Sequence, residues 1–366
     1  MDMDSKECWL IAGGAGFIGS NLIRAIPRLG IKIRVLDNLS SGRAQDLADQ
    51  PVELVVGDIR DRRLVDRVMT GVQVVVCLAA NTGVVRSVDH PAADMSVNVG
   101  GTLNLLEAAV RHRVDRFVFA STGGAIVGEA VPPVHEEMPP RPLSPYGAGK
   151  LAGEGYCSAF WGSYGLKTVP LRFSNIYGPF SYHKGSVIAE FFRRIQAGRE
   201  LTIFGDGEQT RDFLFVEDLC RGILSAIQAE VPFGRPLQLG TGQETTINAL
   251  VQLLRQVVGD RQFPPLKHAP ARAGEVWRNF VSISQARKYL DFSPETDLWS
   301  GLHQTWRWFQ ENSRPAGMIP PRSGFLGQQT GTGDPLPSQL GPLPDPFGPV
   351  ASKPLPVTPA RRRVAI

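Results

Sequence analysis

The strongest constraint on the fold of this chain is an alternation of short apolar runs with amphipathic stretches in its first half. The apolar runs lie at 8–14, 32–37, 52–58, 72–80, 116–122 and 167–173. They are nearly continuously apolar, which is typical of strands covered on both faces of a parallel sheet. Helices are predicted between them at 17–29, 61–70, 98–112 and 146–164. The alternation predicts an α/β fold with a doubly wound parallel sheet.

The pattern changes after about residue 175. Helices are predicted at 187–198, 216–229, 245–258, 284–290 and 297–311, between loops rich in Pro and Gly. We predict a first domain over 1–175, to which about 212–245 contributes, and a smaller α/β lobe over 176–313. The segment 314–366 holds 12 of the 29 prolines and has hardly any periodicity, so it is predicted to be a disordered tail.

The charge of the chain does not indicate a nucleic-acid partner. The net charge is +4, and the segment 314–366 carries six basic and two acidic side chains, which accounts for all of it. Residues 1–313 are therefore neutral overall, and no nucleic acid is expected to bind.

The cysteines and the N-terminus indicate the compartment. The four cysteines are scattered without a CxxC pair, so neither a metal site nor a disulfide framework is expected. The N-terminus has no apolar signal region, and no stretch approaches the ~18 apolar residues of a membrane span. We expect a cytoplasmic protein without a membrane partner.

A glycine-rich stretch, LIAGGAGFIGSNL, joins the first predicted strand to the first predicted helix. Gly13, Gly16 and Gly19 recur at three-residue steps. Glycines there allow a backbone to approach a pyrophosphate held at the amino end of the helix. Asp37 ends the second strand 18 residues after Gly19, where a carboxylate binds a ribose 2′-hydroxyl and disfavours a 2′-phosphate. The stretch therefore predicts a dinucleotide site that prefers NAD, although Arg43 leaves NADP open.

A second stretch, PLSPYGAGKLAGE, carries Tyr146 and Lys150 four residues apart. On a helix this spacing places both side chains on one face. Ser144 is predicted to cap that helix and Pro145 to lie in its first turn. A nearby ammonium favours the phenolate, so we expect Lys150 to bring the pKa of Tyr146 towards neutrality.

The chain resembles the extended short-chain dehydrogenases/reductases, and within them the NAD-dependent sugar-nucleotide epimerases and dehydratases, closest to UDP-glucose 4-epimerase-like proteins. The resemblance covers about residues 8–311. Ten motifs carry it in order, namely GGAGFIGSNL, LDNLSSG, GDIRD, CLAA, NVGGTLNLLEA, FASTGG, SPYGAGK, LRFSNIYGP, TRDFLFVEDL and RAGEV.

This resemblance implies a role for each matching residue. The catalytic residues would be Thr122, Tyr146 and Lys150, with Ser121 as the alternative hydroxyl. The cofactor NAD would be bound by Gly13, Gly16, Phe17, Ile18, Gly19, Asp37, Asn38, Leu39, Asp58, Ile59, Leu78, Ala79, Ala80, Asn98, Ser121, Tyr146, Lys150 and Phe173. A nucleotide-sugar substrate would be bound by Thr82, Thr122, Tyr146, Asn175, Phe204, Arg211, Arg272 and Glu275, mainly in the smaller lobe. His183 and Lys184 are expected to be solvated.

The expected reaction inverts C4 of a nucleotide-diphosphate sugar through a 4-keto intermediate. The related dehydratases and decarboxylases place an acid just after the catalytic hydroxyl, whereas Gly123 and Gly124 follow it here. The glycines favour epimerisation over dehydration, decarboxylation or reduction. Asn279 lies at a position that determines in relatives which sugars the pocket accepts. An asparagine there is compatible with either UDP-glucose/galactose or UDP-N-acetylhexosamine as the substrate. A homodimer is expected through helices 98–112 and 146–164.

Overall fold

The structure is a computed structural model, and it describes residues 7–26, 30–271 and 276–312. The strands in this part of the chain are β1 (Glu7–Ala12), β2 (Ile31–Asp37), β3 (Val52–Val56), β4 (Val74–Cys77), β5 (Arg116–Thr122), β6 (Lys167–Phe173), β7 (Asn175–Tyr177), β8 (Leu201–Phe204), β9 (Thr210–Arg211), β10 (Phe213–Phe215), β11 (Leu237–Leu239), β12 (Thr245–Thr246) and β13 (Leu266–Ala269). All six strands predicted in the first half are present.

Helices connect the strands in the alternating way that the sequence predicts. They are α1 (Phe17–Ala25), α2 (Arg62–Met69), α3 (Val84–Asp89), α4 (Pro91–Met95), α5 (Thr102–Arg111), α6 (Gly123–Val127), α7 (Pro145–Tyr164), α8 (Val187–Gln196), α9 (Val216–Gln228), α10 (Ile247–Val258), α11 (Ser284–Leu290) and α12 (Leu298–Glu311). A 3₁₀ turn at Ala44–Leu47 and a π-helical turn at Ser96–Gly101 complete the set. The sequence did not predict α3, α4 and α6, because helices of five or six residues are too short to show an apolar period.

Seven strands form one sheet in the order β3-β2-β1-β4-β5-β6-β11. Every neighbouring pair in it is parallel. The fold class predicted from the sequence is therefore confirmed. The strand order reverses between β1 and β4, and in sheets of this kind ligands bind beyond the carboxyl ends of the strands at that point.

Both faces of the sheet are buried, which explains why its strands are nearly continuously apolar. In β1, Trp9 and Ile11 face a core completed by α1, α9 and α11, whereas Cys8 and Leu10 face a core completed by α2, α5 and α7. Successive residues of a strand point to opposite faces, so each face needs its own apolar residues.

A third core lies around α8, α10 and α12. Phe192, Leu250 and Phe309 are fully buried there, and the short strands β8 and β10 contribute to it. All described residues belong to one compact unit, so the boundary predicted at residue 175 stays a prediction. The predicted tail at 314–366 lies outside the described residues. None of the helices in the described part of the chain has the length and apolar character that a bilayer crossing requires.

Helix α7 begins and packs as its sequence predicts. The backbone N–H of Gly147 donates to Ser144 Oγ at 3.2 Å, so Ser144 caps the helix, and Pro145 lies in its first turn. Farther along, Gly153 presses on β5, because a Cβ at Gly153 would lie 2.3 Å from Cζ of the buried Phe119.

We expect Gly153→Ala to lower the free energy of unfolding by about 1–3 kcal/mol, because the added methyl overpacks the contact with Phe119. Gly155→Ala is the matched control, since a Cβ at Gly155 has nothing within 4 Å. Alanine also has the higher helix propensity, so the control should leave the urea midpoint unchanged or slightly raised. Urea unfolding followed by circular dichroism measures both. Equal midpoints for the two variants would contradict the close packing of α7 on β5.

Candidate active site

The loop between β1 and α1 has the close backbone packing that a dinucleotide cradle requires. Gly13 has φ +81°, and a Cβ there would lie 2.6 Å from the backbone N of Ala79. A Cβ at Gly19 would lie 2.5 Å from the Cα of Gly14, so only glycine lets α1 start this close to the loop. Helix α1 begins at Phe17, which places the N–H groups of Phe17 and Ile18 at its amino end, where a pyrophosphate binds.

Asp37 joins this loop to the end of β2. Its Oδ2 accepts from the N–H of Ala15 at 3.0 Å, and its Oδ1 accepts from the N–H of Leu39 at 2.8 Å. Burial raises the pKa of Asp37, while these two hydrogen bonds lower it. Each carboxylate oxygen can accept a further hydrogen bond, so the group can also bind a ribose hydroxyl.

The predicted adenine side is built at the ends of β2 and β3. Asp58 accepts from the amide of Asn38 at 3.1 Å, and its hydrogen bonds with Arg60 lower its pKa to about 2. Ile59 is buried, and a Cβ at Gly101 would lie within 2.5 Å of it. These residues therefore form one wall, and their contact with adenine stays a prediction.

Asn98 holds the chain that follows β4, as the resemblance implies. Its Oδ1 accepts from the N–H of Asn81 at 2.8 Å, and its Nδ2 donates to the carbonyl of Asn81 at 3.0 Å. Leu78 donates its N–H to the carbonyl of Ala12 at 2.8 Å, which keeps Leu78, Ala79 and Ala80 beside the glycine-rich loop. The exposed Thr82 follows directly.

The two candidate hydroxyls at the end of β5 have different partners. The hydroxyl of Ser121 is buried and donates to Glu154 Oε1 at 2.6 Å. Thr122 forms a side-chain hydrogen bond with Tyr146, which lies in the first turn of α7. The geometry therefore favours Thr122 over Ser121 as the hydroxyl that works with Tyr146.

Lys150 is buried one turn after Tyr146. Its Nζ donates to the carbonyl of Ala120 at 2.8 Å and lies 4.9 Å from the centroid of the Phe119 ring. Burial lowers the pKa of this lysine, and surrounding acidic groups, among them Asp94, oppose that effect. A buried cation is thus held at the carboxyl end of β5.

The pKa of Tyr146 differs from the expectation drawn from the Tyr-Lys spacing. It is raised to about 12 by burial and, to a smaller extent, by the negative charge of Asp94, while the hydrogen bond with Thr122 lowers it. The sequence could not reveal this result, because burial and the position of Asp94 are both tertiary properties.

A buried ion pair supports this part of the site, and the sequence analysis missed it. Arg172 Nε and one terminal nitrogen each lie 2.8 Å from an oxygen of Glu154, and both residues are almost fully buried. One arginine within the apolar run KTVPLRF, and one glutamate four residues after Lys150, were the available signals.

The predicted substrate residues lie at the carboxyl end of the sheet and on the short strands beyond it. Phe173, which was predicted to bind the cofactor, pairs with the predicted substrate residue Thr122 in the β5–β6 ladder. Asn175 donates its N–H to the carbonyl of Asp212 at 2.9 Å. Arg211 donates to the carbonyl of Val276 at 2.9 Å, which brings β9 next to the chain after residue 275. Phe204 ends β8 and is partly buried, and Arg272 and Glu275 lie outside the described residues.

Lys184 was expected to be solvated, and the structure corrects this. Its Nζ donates to the carbonyl of Ile176 at 3.1 Å and lies 4.8 Å from the ring centroid of Phe17. Burial lowers its pKa to about 8. The lysine thus joins the predicted cofactor residue Phe17 to the strand that carries Asn175, whereas His183 is exposed as expected.

A parallel sheet in this order, with a tight glycine turn after β1 and a carboxylate at the end of β2, defines a dinucleotide-binding enzyme of the Rossmann type. The residues present fit such a cofactor, since the turn leaves no room for a Cβ at Gly13 and Asp37 keeps free lone pairs. The chain belongs to the NAD dependent epimerase/dehydratase family, which it matches over residues 9–240. This membership confirms the predicted family and the predicted cofactor, NAD.

Similar proteins include both kinds of enzyme in the family. A UDP-glucose 4-epimerase of Mycolicibacterium smegmatis is 36% identical over 320 residues, covering 83% of this chain and 99% of the relative. A dTDP-glucose 4,6-dehydratase of Streptomyces niveus is 35% identical over 317 residues, covering 83% and 93%. The crystal structure of a UDP-glucose 4-epimerase from Thermotoga maritima with UDP-glucose has a TM-score of 0.79 at 37% identity, covering 83% and 99%. The comparisons leave the choice between the two reactions open.

The two hydroxyls at the end of β5 can be separated by mutation. Thr122→Ala should lower kcat by about 10²-fold with little change in stability, because it removes the partner of Tyr146. Ser121→Ala should change kcat by only a few fold and lower the free energy of unfolding by about 1–2 kcal/mol, because Glu154 loses a buried hydrogen bond. Steady-state kinetics and urea unfolding measure the two effects, and the reverse pattern would make Ser121 the catalytic hydroxyl.

Proposed function

We propose that this protein is an NAD-dependent epimerase that inverts C4 of a nucleotide-diphosphate sugar, either UDP-glucose/UDP-galactose or a UDP-N-acetylhexosamine, through a transient 4-keto intermediate. The alternative is a nucleotide-sugar dehydratase, decarboxylase or reductase on the same scaffold.

The preference for epimerisation over dehydration or decarboxylation rests on the packing around the two glycines after Thr122. A Cβ at Gly123 would lie 2.6 Å from Oε1 of Gln238, and a Cβ at Gly124 would lie 2.0 Å from Nδ2 of Asn279. An acidic side chain at either position would fit only if these amides moved aside. The place where a dehydratase or decarboxylase carries its acid is therefore occupied, which supports epimerisation.

Tyr146, Thr122 and Lys150 have separate roles in the proposed reaction. When bound, NAD supplies the acceptor and donor of a hydride. Tyr146 takes the proton from the C4 oxygen and returns it to the same oxygen after the keto sugar has turned its other face to the cofactor, while Thr122 holds the sugar oxygen near the phenol. Lys150 supplies positive charge close to the phenol, which favours the phenolate during the transfer. Lys150 itself is buried, so its charge is little screened by water.

We propose that residues on the short strands beyond the sheet anchor the sugar nucleotide. Asn175 and Arg211 would contact the diphosphate, because an amide and a guanidinium donate well to phosphate oxygens. Phe204 would pack on the nucleobase. Arg272 and Glu275 stay predictions from the resemblance. Asn279 faces Gly124, next to the catalytic hydroxyl, so its amide is in position to contact a substituent of the sugar.

The proposed reaction is tested by incubating the purified protein, without added coenzyme, with UDP-glucose and with UDP-N-acetylglucosamine separately. We expect the C4 epimer of one or both to appear on chromatography, and Tyr146→Phe to lower its rate by at least about 10²-fold. Tyr156→Phe, which removes a phenol from an exposed position of the same helix, is the control and should retain the rate. A product lighter by one water would instead establish the dehydratase.

We further propose a homodimer whose interface includes the expected helix α7 but not the expected helix α5. The apolar face of α5, formed by Leu105, Leu106, Ala108 and Ala109, is buried in the core of the chain itself and cannot contact a partner. A group of exposed apolar side chains lies on α3, α4 and α7, which pack on one another, and it includes Val85, Val88, Met95, Tyr156, Trp161 and Tyr164. An exposed apolar surface of this kind marks an interaction site.

Sedimentation velocity tests the dimer. Val88→Asp places a charge on the proposed interface, where Val88 is 59% exposed, and should convert the dimer to a monomer. Val131→Asp makes the same change at a residue that is 83% exposed and lies in the loop between α6 and α7, outside the three helices, so the dimer should remain. A monomeric wild-type protein would contradict the proposal.

A further inference from the structure

Asp94 is a buried acid that the proposed reaction does not use. It lies in α4 and is 2% exposed. Its Oδ1 accepts from Nδ2 of Asn98 at 3.0 Å, whereas its Oδ2 is buried without a hydrogen-bond partner. A buried carboxylate oxygen without a hydrogen bond is costly unless a nearby positive charge compensates for it.

The carboxylate faces the part of α7 that carries the catalytic pair. A Cβ at Gly149 would lie 3.4 Å from Asp94 Oδ2 and 3.3 Å from the Cβ of Asn98. Gly149 is the residue before Lys150 and the third after Tyr146. Glycine at this position therefore lets the acid of α4 approach the backbone between the two catalytic residues.

Lys150, the residue after Gly149, is a buried cation whose pKa the charge of Asp94 raises. The other titratable groups around the lysine are Cys77 on β4 and Cys157 and Glu154 on α7. Burial raises the pKa of both thiols, so they are uncharged at neutral pH, and Glu154 is already paired with Arg172. Among the described residues around Lys150, Asp94 is thus the carboxylate without an ion-pair partner of its own.

In the described part of the chain, α3 and the π-helical turn, which also pack against α4, bring no competing buried charge. Helix α3 carries Arg86 and Asp89 at exposed positions, and the π-helical turn at Ser96–Gly101 contributes the neutral Asn98. The charge of Asp94 therefore acts mainly on Lys150 and Tyr146.

We propose that Asp94 is a positioning residue whose buried carboxylate is the counter-charge of the Lys150 ammonium. Its charge thereby governs how readily Tyr146 exchanges its proton, both directly and through Lys150. The inference rests on the proposed function of Tyr146 as acid and base. A negative charge disfavours a phenolate and favours an ammonium, so its loss makes both Tyr146 and Lys150 easier to deprotonate. The same carboxylate keeps Asn98 in place through their hydrogen bond.

The first test is the pH dependence of kcat. Asp94→Asn removes the charge with little change in shape, and both limbs of the pH profile should move to lower pH by about one unit. Asp94→Glu, which restores the charge, should return the profile towards that of the wild type. Asp89→Asn makes the same charge change at an exposed position of α3 and should leave the profile in place. A lower kcat with an unmoved pH profile would show that Asp94 has only a structural role, and it would overturn the proposal.

The second test does not depend on activity. Urea unfolding of Asp94→Asn, Lys150→Met and the double variant forms a cycle, and paired charges predict that the double variant loses less stability than the two single variants together. Additive losses would overturn the pairing. If Asp94→Asn does not fold, Asp94→Ser removes the same charge in both tests. A wild-type protein that forms no C4 epimer would overturn the proposed function, while the unfolding cycle still decides the pairing.

Discussion

Helix α7 packs against β5 and β6 through a face that carries Lys150, Gly153 and Glu154, and the geometry of the candidate site depends on this contact. Lys150 reaches the carbonyl of Ala120 because Gly153 brings the helix close to Phe119. The contact sets the distance between the end of β5 and the first turn of α7, and therefore between Thr122 and Tyr146. If a methyl group at Gly153 displaced the helix, the hydroxyls of Thr122 and Tyr146 would move apart.

The same contact buries several charges, and each is compensated in its own way. Glu154 is bidentate to Arg172 and also accepts from Ser121, so its charge and most of its hydrogen-bonding capacity are used. Breaking a buried pair of this kind by removing one partner is strongly destabilising. Among the described residues, Lys150 has only a carbonyl at hydrogen-bond distance, and its other compensation comes from the Phe119 ring and from acids at longer range. This difference gives Glu154 a structural role and leaves the charge of Lys150 available for the reaction.

The elements near the cofactor were predictable because their function requires local sequence. The tight turn at Gly13, the start of α1 and the position of Asp37 all lie within about 25 residues, so spacing alone describes their geometry. Ser144 and Pro145 likewise predicted the start of α7, since capping involves residues three positions apart. The expected dimer helix α5 shows the limit of such reasoning. Its apolar residues indicated a buried face, but only the fold shows that α7 and the sheet cover it.

The amino-acid sequence by itself determined the doubly wound sheet, the glycine turn and the Tyr146–Lys150 pair, because each depends on short-range periodicity and spacing. Its ten motifs also indicated the NAD-dependent family by resemblance. The tertiary structure alone decided which hydroxyl accompanies Tyr146, what occupies the space after Thr122, and how the buried charges are distributed. Gln238 and Asn279 lie more than 110 residues from the glycines they face, and Arg172 is 18 residues from Glu154 on another element. Contacts across such separations depend on how strands and helices pack, and burial in that packing sets the pKa values on which the chemistry depends.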